Sequence, residues 1–463
     1  MNGSDPVNPQ TMMDLNEVAR ATGGRAHGAG VRFSGVTTDS RRVAAGDLFV
    51  ALRGERFDGN AYVGEAISRG AVAAITSRLV QAPLPVPQVV VADTRIALGQ
   101  LAARWRGRFA MPLVALTGSN GKTTVKEMLT SILAAHAGER SMVLATHGNL
   151  NNDIGVPLTL LELRESHRYA VIEMGMNHEG EIDYLTRLAM PAVALVNNAQ
   201  RAHVGILGSL EAIARAKGEI YAGLKGSGIA VINEDDPYAS YWKTLNAGRR
   251  VVTFGFDEGA SVRASVAGPE VRFVTPVDAF AVTLQVAGDH NVRNALAACA
   301  AAHALEIPPR AIQDGLNHFG GVPGRLQRRP GRAGSLVIDD TYNANPESMK
   351  AAIRVLAAEA GRRVFVMGDM GELGPGAAAM HVEVGVFARE AGIDALLALG
   401  SASREAAAAF GAGARHFDNA ARLIEAAGHE AAQGATLLVK GSRFMQMERV
   451  ADALAAPGDS RAL

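Results

Sequence analysis

Cysteine is nearly missing from this chain. Cys299 stands alone among 463 residues, which excludes an intramolecular disulfide framework and fits a reducing compartment. It sits in an alanine-rich run, residues 295–302, and reads as a packed helix residue rather than a nucleophile. No apolar stretch approaches the ~20 residues that a membrane-spanning helix needs. Residues 1–11 are polar, carry two prolines and lack the apolar core of a secretion signal. These absences lead to the expectation of a soluble, cytoplasmic protein without membrane insertion. An excess of charge is missing as well, because Lys+Arg and Asp+Glu both number 46. With no global field to draw it to nucleic acid or an anionic membrane, the chain is expected to work on small molecules.

What is present is enough apolar material, 48% of residues, to bury a full core in each of about three domains. Strand-like and helix-like stretches alternate along most of the chain. In the first ~110 residues, 47–52 (DLFVAL) and 89–92 read as strands and 61–69 as a helix. Residues 81–87 (QAPLPVP) form a connection where three prolines forbid regular structure. From residue 111 the pattern is strand 113–116, helix 123–136, strands 169–173 and 192–197, helix 209–221, strand 228–233 and helix 291–304. After a hinge-like GGVPGR at 320–325, strands are expected at 336–340, 363–367, 395–399 and 436–439. Such repetition predicts an α/β protein with parallel sheets covered by helices on both faces. The expected division is 1–110, 111–321 and 322–463.

The stretch with the clearest chemistry is TGSNGKTT, residues 117–124. Glycines let backbone N–H groups approach phosphates, a lysine reaches the β/γ oxygens, and a hydroxyl at the helix start holds Mg²⁺. Gly118 and Gly121 fit the turns, Lys122 the cation and Thr123 the hydroxyl, with Ser119, Asn120 and Thr124 completing the loop. A strand before it and a helix after it supply the context that a phosphate loop requires. Leu116 stands where the general G-x-x-x-x-G-K-[ST] pattern has its first glycine.

That shorter form resembles the ATP-dependent Mur ligases and their relative, folylpolyglutamate synthase. NLNNDIGVP (149–157), EMGMN (173–177), NNAQRAHVGIL (197–207), AIARAKGEI (212–220) and GDHNVRNALAA (288–298) resemble the central domain of that family. DDTYNANPES (339–348) and MGDMGELG (367–374) resemble the branch that acts last among the soluble ligases. The resemblance implies three domains: an N-terminal α/β domain for the UDP-sugar, a central P-loop ATPase-like parallel sheet, and a C-terminal Rossmann-like domain that closes on ATP and binds the incoming dipeptide. It also implies a monomer. The implied substrates are UDP-N-acetylmuramoyl-tripeptide, D-alanyl-D-alanine and ATP, with two Mg²⁺ ions.

The resemblance assigns roles that the residues alone leave open. Glu173, at a strand end beside the loop, is implied as a metal ligand; as a lone carboxylate it could equally cap a helix before Gly175. His203 is implied as a second metal ligand, although a lone histidine is more often a surface or packed residue. Lys217 is implied to carry a carbamate, giving oxygen donors where an ammonium has none; otherwise it reads as an exposed helix lysine paired with Glu211 or Glu219. His290, Asn291 and Asn294 are implied to contact the nucleotide, the two asparagines sharing a helix face; Asn291 could instead be an N-cap. Arg325 is implied to reach the transferring phosphate and Asp340 the ATP ribose. Lys440 and Ser442 are implied to face the reaction centre. Ser40 and Arg41, in TTDSR, are implied UDP contacts, or else an Asp-Ser turn with solvated arginines. Asn149 and Asn152 are implied to contact the substrate.

The catalytic set is therefore Lys122, His203, Lys217 and Arg325. The expected reaction phosphorylates the tripeptide carboxylate and lets the dipeptide amine displace phosphate. A diaminoacid-adding ligase of the same family is the nearest alternative, weakened because the D-N-P-R stretch of that enzyme is absent here. Folylpolyglutamate synthase lacks a ~110-residue UDP-binding domain ahead of the loop. A phosphate-loop switch or motor would hydrolyse ATP without an amine acceptor.

Overall fold

A computed structural model describes residues 11–55, 57–81, 86–267 and 270–456. Most of the proline-rich 81–87 connection and nearly all of the N-terminal 1–11 stretch lie outside the described residues. Among the described residues no helix is long and apolar enough to cross a membrane. Each third of the chain builds its own sheet, as the alternation predicts. The first sheet has five strands, in the order Arg25–His27, Gln88–Val90, Ala73–Thr76, Asp47–Val50, Gly35–Thr37, and only the first pairing is antiparallel.

The central sheet has nine strands. Val143–Ala145, Tyr169–Glu173, Leu113–Thr117, Val193–Val196, Ile229–Asn233, Val251–Gly255 and Val262–Ala267 run parallel. Glu270–Val274 and Ala279–Val282 then extend the edge as an antiparallel ribbon. The sequence reading left this ribbon unassigned. In Glu270–Val274 exposed and buried residues alternate, and Ala279–Val282 buries only Val282 fully, so the ribbon lacks the continuous apolar runs that mark the inner strands. The third sheet has Gln327–Pro330 antiparallel at one edge, followed by parallel strands Leu336–Asp340, Thr436–Lys440, Arg363–Gly368, Ala395–Leu399 and Ala414–Phe417.

Alternation of side chains across each sheet separates the cores. Leu113 and Ala115 point to one face of the central sheet, Val114 and Leu116 to the other. The first face shares a continuous core with the N-terminal unit, through helix Thr94–Arg106 and its buried Leu98, Leu101 and Trp105. That helix is capped by Asp93 and pinned by the Trp105 indole, which donates to the Leu163 carbonyl at 3.1 Å. The second face is covered by helices Lys122–Ala137, Asp289–Ala304 and Pro309–Asn317. Cys299 is buried in the middle one, where burial pushes its thiol up to about 12; it is a packing residue, as its alanine-rich setting suggests.

The helix after the phosphate loop, Lys122–Ala137, is fixed from behind by an unusually close crossing. A Cβ placed on Gly315 would lie 2.3 Å from Ile132 Cα, and Ser131 donates its hydroxyl to the Gly315 carbonyl at 2.7 Å. Only glycine allows that backbone approach. Gly315→Ala is expected to destabilise the protein by about 1–3 kcal/mol through overpacking, read as a lower urea midpoint with an unchanged denaturant slope.

Candidate functional site

Strand register sets the level of the site. Glu173 lies opposite Leu116, and Val196 opposite Thr117, so three parallel strands end together. From Leu113–Thr117 the chain passes first to one side of the sheet and later to the other. The crevice beyond the strand ends is therefore a topological switch point, where ligands bind in such sheets. The loop that fills it holds no side-chain cap for its helix, and Gly121 stands at φ 79°. The first N–H groups of the helix are left without side-chain partners, which suits an anion.

Neighbouring asparagines hold the loop open. Asn198 accepts from Ser119 N at 3.0 Å through its carbonyl and from Asn120 N at 2.9 Å through its side chain. Asn197 donates to the Asn120 carbonyl at 2.9 Å and to Asn294 Oδ1 at 3.1 Å. A Cβ on Gly121 would meet Asn294 Oδ1 at 2.1 Å, and one on Gly118 would meet Asn197 Cβ at 2.9 Å. Lys122 turns its ammonium onto the Gly118 carbonyl at 2.8 Å. Burial pushes its pKa down, Glu173 pushes it back up, and Arg325 lowers it further. Thr124 is buried on the helix behind.

Glu173 caps no helix, since the next one begins at Glu181. Thr123 Oγ1 donates to Glu173 Oε2 at 2.8 Å, and Asn151 Nδ2 donates to Oε1 at 2.8 Å. Arg325, arriving from the third unit, donates to the same Thr123 hydroxyl at 2.9 Å and stacks on Tyr342 at 4.1 Å from the ring centroid. Its Nε is buried without a partner among the described residues. Lys217 is buried too, with 2% of its surface exposed, so the surface ion pair with Glu211 or Glu219 is overturned. Glu219 instead accepts from Gly180 N and Asp183 N. Burial, then the charge of Lys122, pushes the Lys217 pKa well down. His203 sits at φ 63°, with Nδ1 2.7 Å from Glu372 Oε2 of the third unit.

The remaining expected residues fall into three groups. Asn291 donates to the Ala287 carbonyl and accepts from Asn294 Nδ2 at 3.2 Å, so these amides are occupied with each other and with the loop. His290 is near Asp340 and Lys440, and burial lowers its pKa. Lys440 donates to Asp340 Oδ2 at 2.6 Å and to the Asn343 carbonyl at 2.8 Å. Ser442 donates to the Ala344 carbonyl and accepts from Gly371 N at 2.8 Å, so Lys440 and Ser442 tie together the loops of DDTYNANP and MGDMGELG. Far from this cluster in sequence, Ser40 donates to Glu65, and exposed Arg41 pairs with Asp39 at 2.8 Å. That geometry matches the turn reading. Asn152 accepts from Gly155 N at 2.8 Å at a helix start, and Asn149 is exposed.

Sequence reasoning missed Asn151, Tyr342 and Glu372. All three lie inside the quoted motifs, and nothing in their spacing distinguishes them from their neighbours. The oxygens of Thr123 and Glu173 suit a hard divalent cation, whereas the Lys217 amine does not unless it is converted to an oxygen donor. Among the described residues no three His, Cys, Asp or Glu side chains cluster as a metal site. The cluster of Lys122, Lys217 and Arg325 against a single Glu173 suits a polyanion.

Family models for the Mur ligase family, catalytic domain, the Mur ligase middle domain, and the Mur ligase, glutamate ligase domain match residues 32–106, 116–302 and 324–443. The chain is 43% identical to the UDP-N-acetylmuramoyl-tripeptide--D-alanyl-D-alanine ligase of Escherichia coli K12, over 96% of this chain and 98% of that one. A crystal structure of MurF from Acinetobacter baumannii superposes with a TM-score of 0.89 at 39% identity, covering 96% and 99% of the two chains. The MurF ligase of Thermotoga maritima in complex with ADP superposes at 0.78 with 28% identity, covering 90% and 96%.

The buried Lys217 gives a measurable pH signature. Its pKa lies below the ordinary value when folded, so the unfolded chain binds more protons and stability rises with pH between the two values. In carbon dioxide-depleted buffer, Lys217→Met is expected to raise the thermal midpoint at pH 7 and to flatten the rise in stability toward pH 10. An unchanged midpoint and slope would show that the folded protein does not lower the Lys217 pKa.

Proposed function

The chain belongs to the Mur ligase family, and from that premise we propose that it uses ATP to join D-alanyl-D-alanine to UDP-N-acetylmuramoyl-tripeptide, yielding the pentapeptide precursor of peptidoglycan. The observation that carries the reading is the meeting at Thr123. The phosphate loop, the strand-end carboxylate and an arginine of the third unit converge on one hydroxyl. The identity of the carboxylate and amine substrates is supported by the full-length likeness to relatives that bear that name.

Residues 1–110 would hold the UDP-sugar, with Ser40 and Arg41 nearby. Residues 111–321 would hold ATP, and 322–463 would close on it and receive the dipeptide. The enzyme would act as a cytoplasmic monomer. Thr123 and Glu173 would hold one Mg²⁺, and His203 with a carbamylated Lys217 a second. Bound there, the ions supply charge neutralisation on the phosphate oxygens. Burial and the charge of Lys122 favour the neutral amine of Lys217, the form that adds to CO₂; the product carbamate would supply oxygen donors that the amine lacks.

Lys122 and the backbone N–H groups of the loop would orient the γ-phosphoryl group. Arg325 would neutralise charge on its oxygens as the P–O bond to ADP breaks and one to the tripeptide carboxylate forms. Attack by the dipeptide amine on the acyl phosphate gives a tetrahedral intermediate, and collapse expels phosphate. Closing the third unit over the loop excludes water, which would otherwise hydrolyse the acyl phosphate.

ADP release measured with the UDP-tripeptide, with and without D-alanyl-D-alanine, tests the assignment. Release is expected to require both substrates, and acceptor-independent turnover would contradict it. Lys122→Ala is expected to lower kcat roughly 10²–10³-fold, the usual cost of removing one fixed charge-stabilising donor. Near-normal ligation with ATP saturating would refute its role.

A further inference from the structure

Between the central and third units, several contacts are concentrated on one short segment, residues 198–205. Its first half grips the phosphate loop: Gln200 N donates to Ser119 Oγ at 2.8 Å, and Asn120 Nδ2 donates to Gln200 Oε1 at 2.5 Å. The next residue reaches the other way. Arg201 donates through Nη1 and Nη2 to both oxygens of Glu383, at 2.9 and 2.7 Å, and through Nε to Glu347 Oε1 at 2.5 Å. One guanidinium thus holds two helices of the third unit, Pro346–Ala357 and Ala377–Glu390, in the fork geometry that arginine offers and lysine does not. Lys350 donates to Glu383 as well, at 2.5 Å, and fastens the two helices to each other.

The consequence falls on the loop. Glu347 is two residues past Asn345, the N-cap of its helix, and Asn345 Nδ2 donates to Asn120 Oδ1 at 2.7 Å. Holding Glu347 therefore holds a third-unit amide on the phosphate loop. Beyond the clamp, Gly205 N donates to the Glu372 carbonyl at 3.0 Å, and a Cβ on Gly205 would lie 2.4 Å from Gly374 N. The two backbones touch there, which permits docking without supplying much attraction. Beside the His203–Glu372 contact, Arg201 supplies a forked charged attraction between the units. Its partners keep about a quarter to a third of their side-chain surface, 26% for Glu347 and 33% for Glu383. The clamp is therefore better shielded than a surface pair and still open to salt.

We propose that Arg201 is a positioning residue for the ligation reaction: by clamping Glu347 and Glu383 it seats the third unit, and with it Asn345 and Arg325, on the phosphate loop. Arg201 touches no reacting atom in this scheme. Arginine binding also holds the Glu383 carboxyl down to about 2, so the clamp stays charged throughout the working pH range. The kinetic half of this proposal rests on the ligase reading above, whereas its structural half does not.

Arg201→Gln, Glu383→Gln and the double variant test it in the full-length protein. Small-angle scattering of the substrate-free enzyme is expected to show a larger radius of gyration for each single variant. Ligation is expected to lose roughly tenfold in kcat/KM, within the range for coupled charge pairs. The double variant should be no worse than Arg201→Gln alone, and the thermal midpoint should move little. Added salt should slow the wild type more than the variants. Unchanged scattering and kinetics, or additive losses in the double variant, would overturn the proposal. Should the wild type fail to ligate, the activity assignment falls, and the scattering comparison still decides the clamp.

Discussion

The hydroxyl of Thr123 is gripped from two sides, donating to Glu173 and accepting from Arg325. These two contacts connect the floor of the central sheet to the third unit, and much of the architecture serves to place them. The Thr123 side depends on the helix crossing at Gly315 and on the open loop that Asn197, Asn198 and Asn294 support. The Glu173 side depends on strand register and on Asn151, which takes its other oxygen. Behind it, buried Lys126 donates to the Thr146 carbonyl at 2.6 Å, and Thr146 Oγ1 accepts from Glu173 N at 2.9 Å. Glu173 is thus fixed through both its side chain and its backbone, as the metal role proposed for it would require.

The electrostatic balance of this crevice is one-sided. Lys122 lies near Glu173, Arg325 and Lys217, and burial depresses the pKa values of Lys122 and Lys217. A folded protein tolerates such an arrangement when its ligand supplies the missing charge. A triphosphate does so, and a carbamate on Lys217 would add one more anion where the protein has none.

Much of this was legible from residues alone, for identifiable reasons. Inner parallel strands are buried on both faces and read as apolar runs, so Leu113–Thr117 and Tyr169–Glu173 were found to within a residue. A glycine loop between strand and helix follows from local rules, so the place of Lys122 and Thr123 at the helix start was legible as well. Pair partners depend on chain segments far apart. Nothing local distinguishes Asn151 from Asn149 and Asn152, yet only Asn151 bonds Glu173; Gly175 leaves room for its amide, since a Cβ there would lie 2.9 Å from Asn151 Oδ1. Lys217 looked like a solvated helix lysine until its helix was packed. Asp340 and Lys440, assigned separate duties, form one ion pair, since parallel pairing of their strands puts them opposite each other. The family resemblance supplied roles that no local rule could.

In the proposed reaction ATP activates a carboxylate through an acyl phosphate. Ligation with UDP-tripeptide labelled with ¹⁸O in both oxygens of its terminal carboxylate tests this most directly. One labelled oxygen is predicted to appear in each inorganic phosphate released, with the other retained in the new amide. Unlabelled phosphate alongside normal amide formation would contradict it.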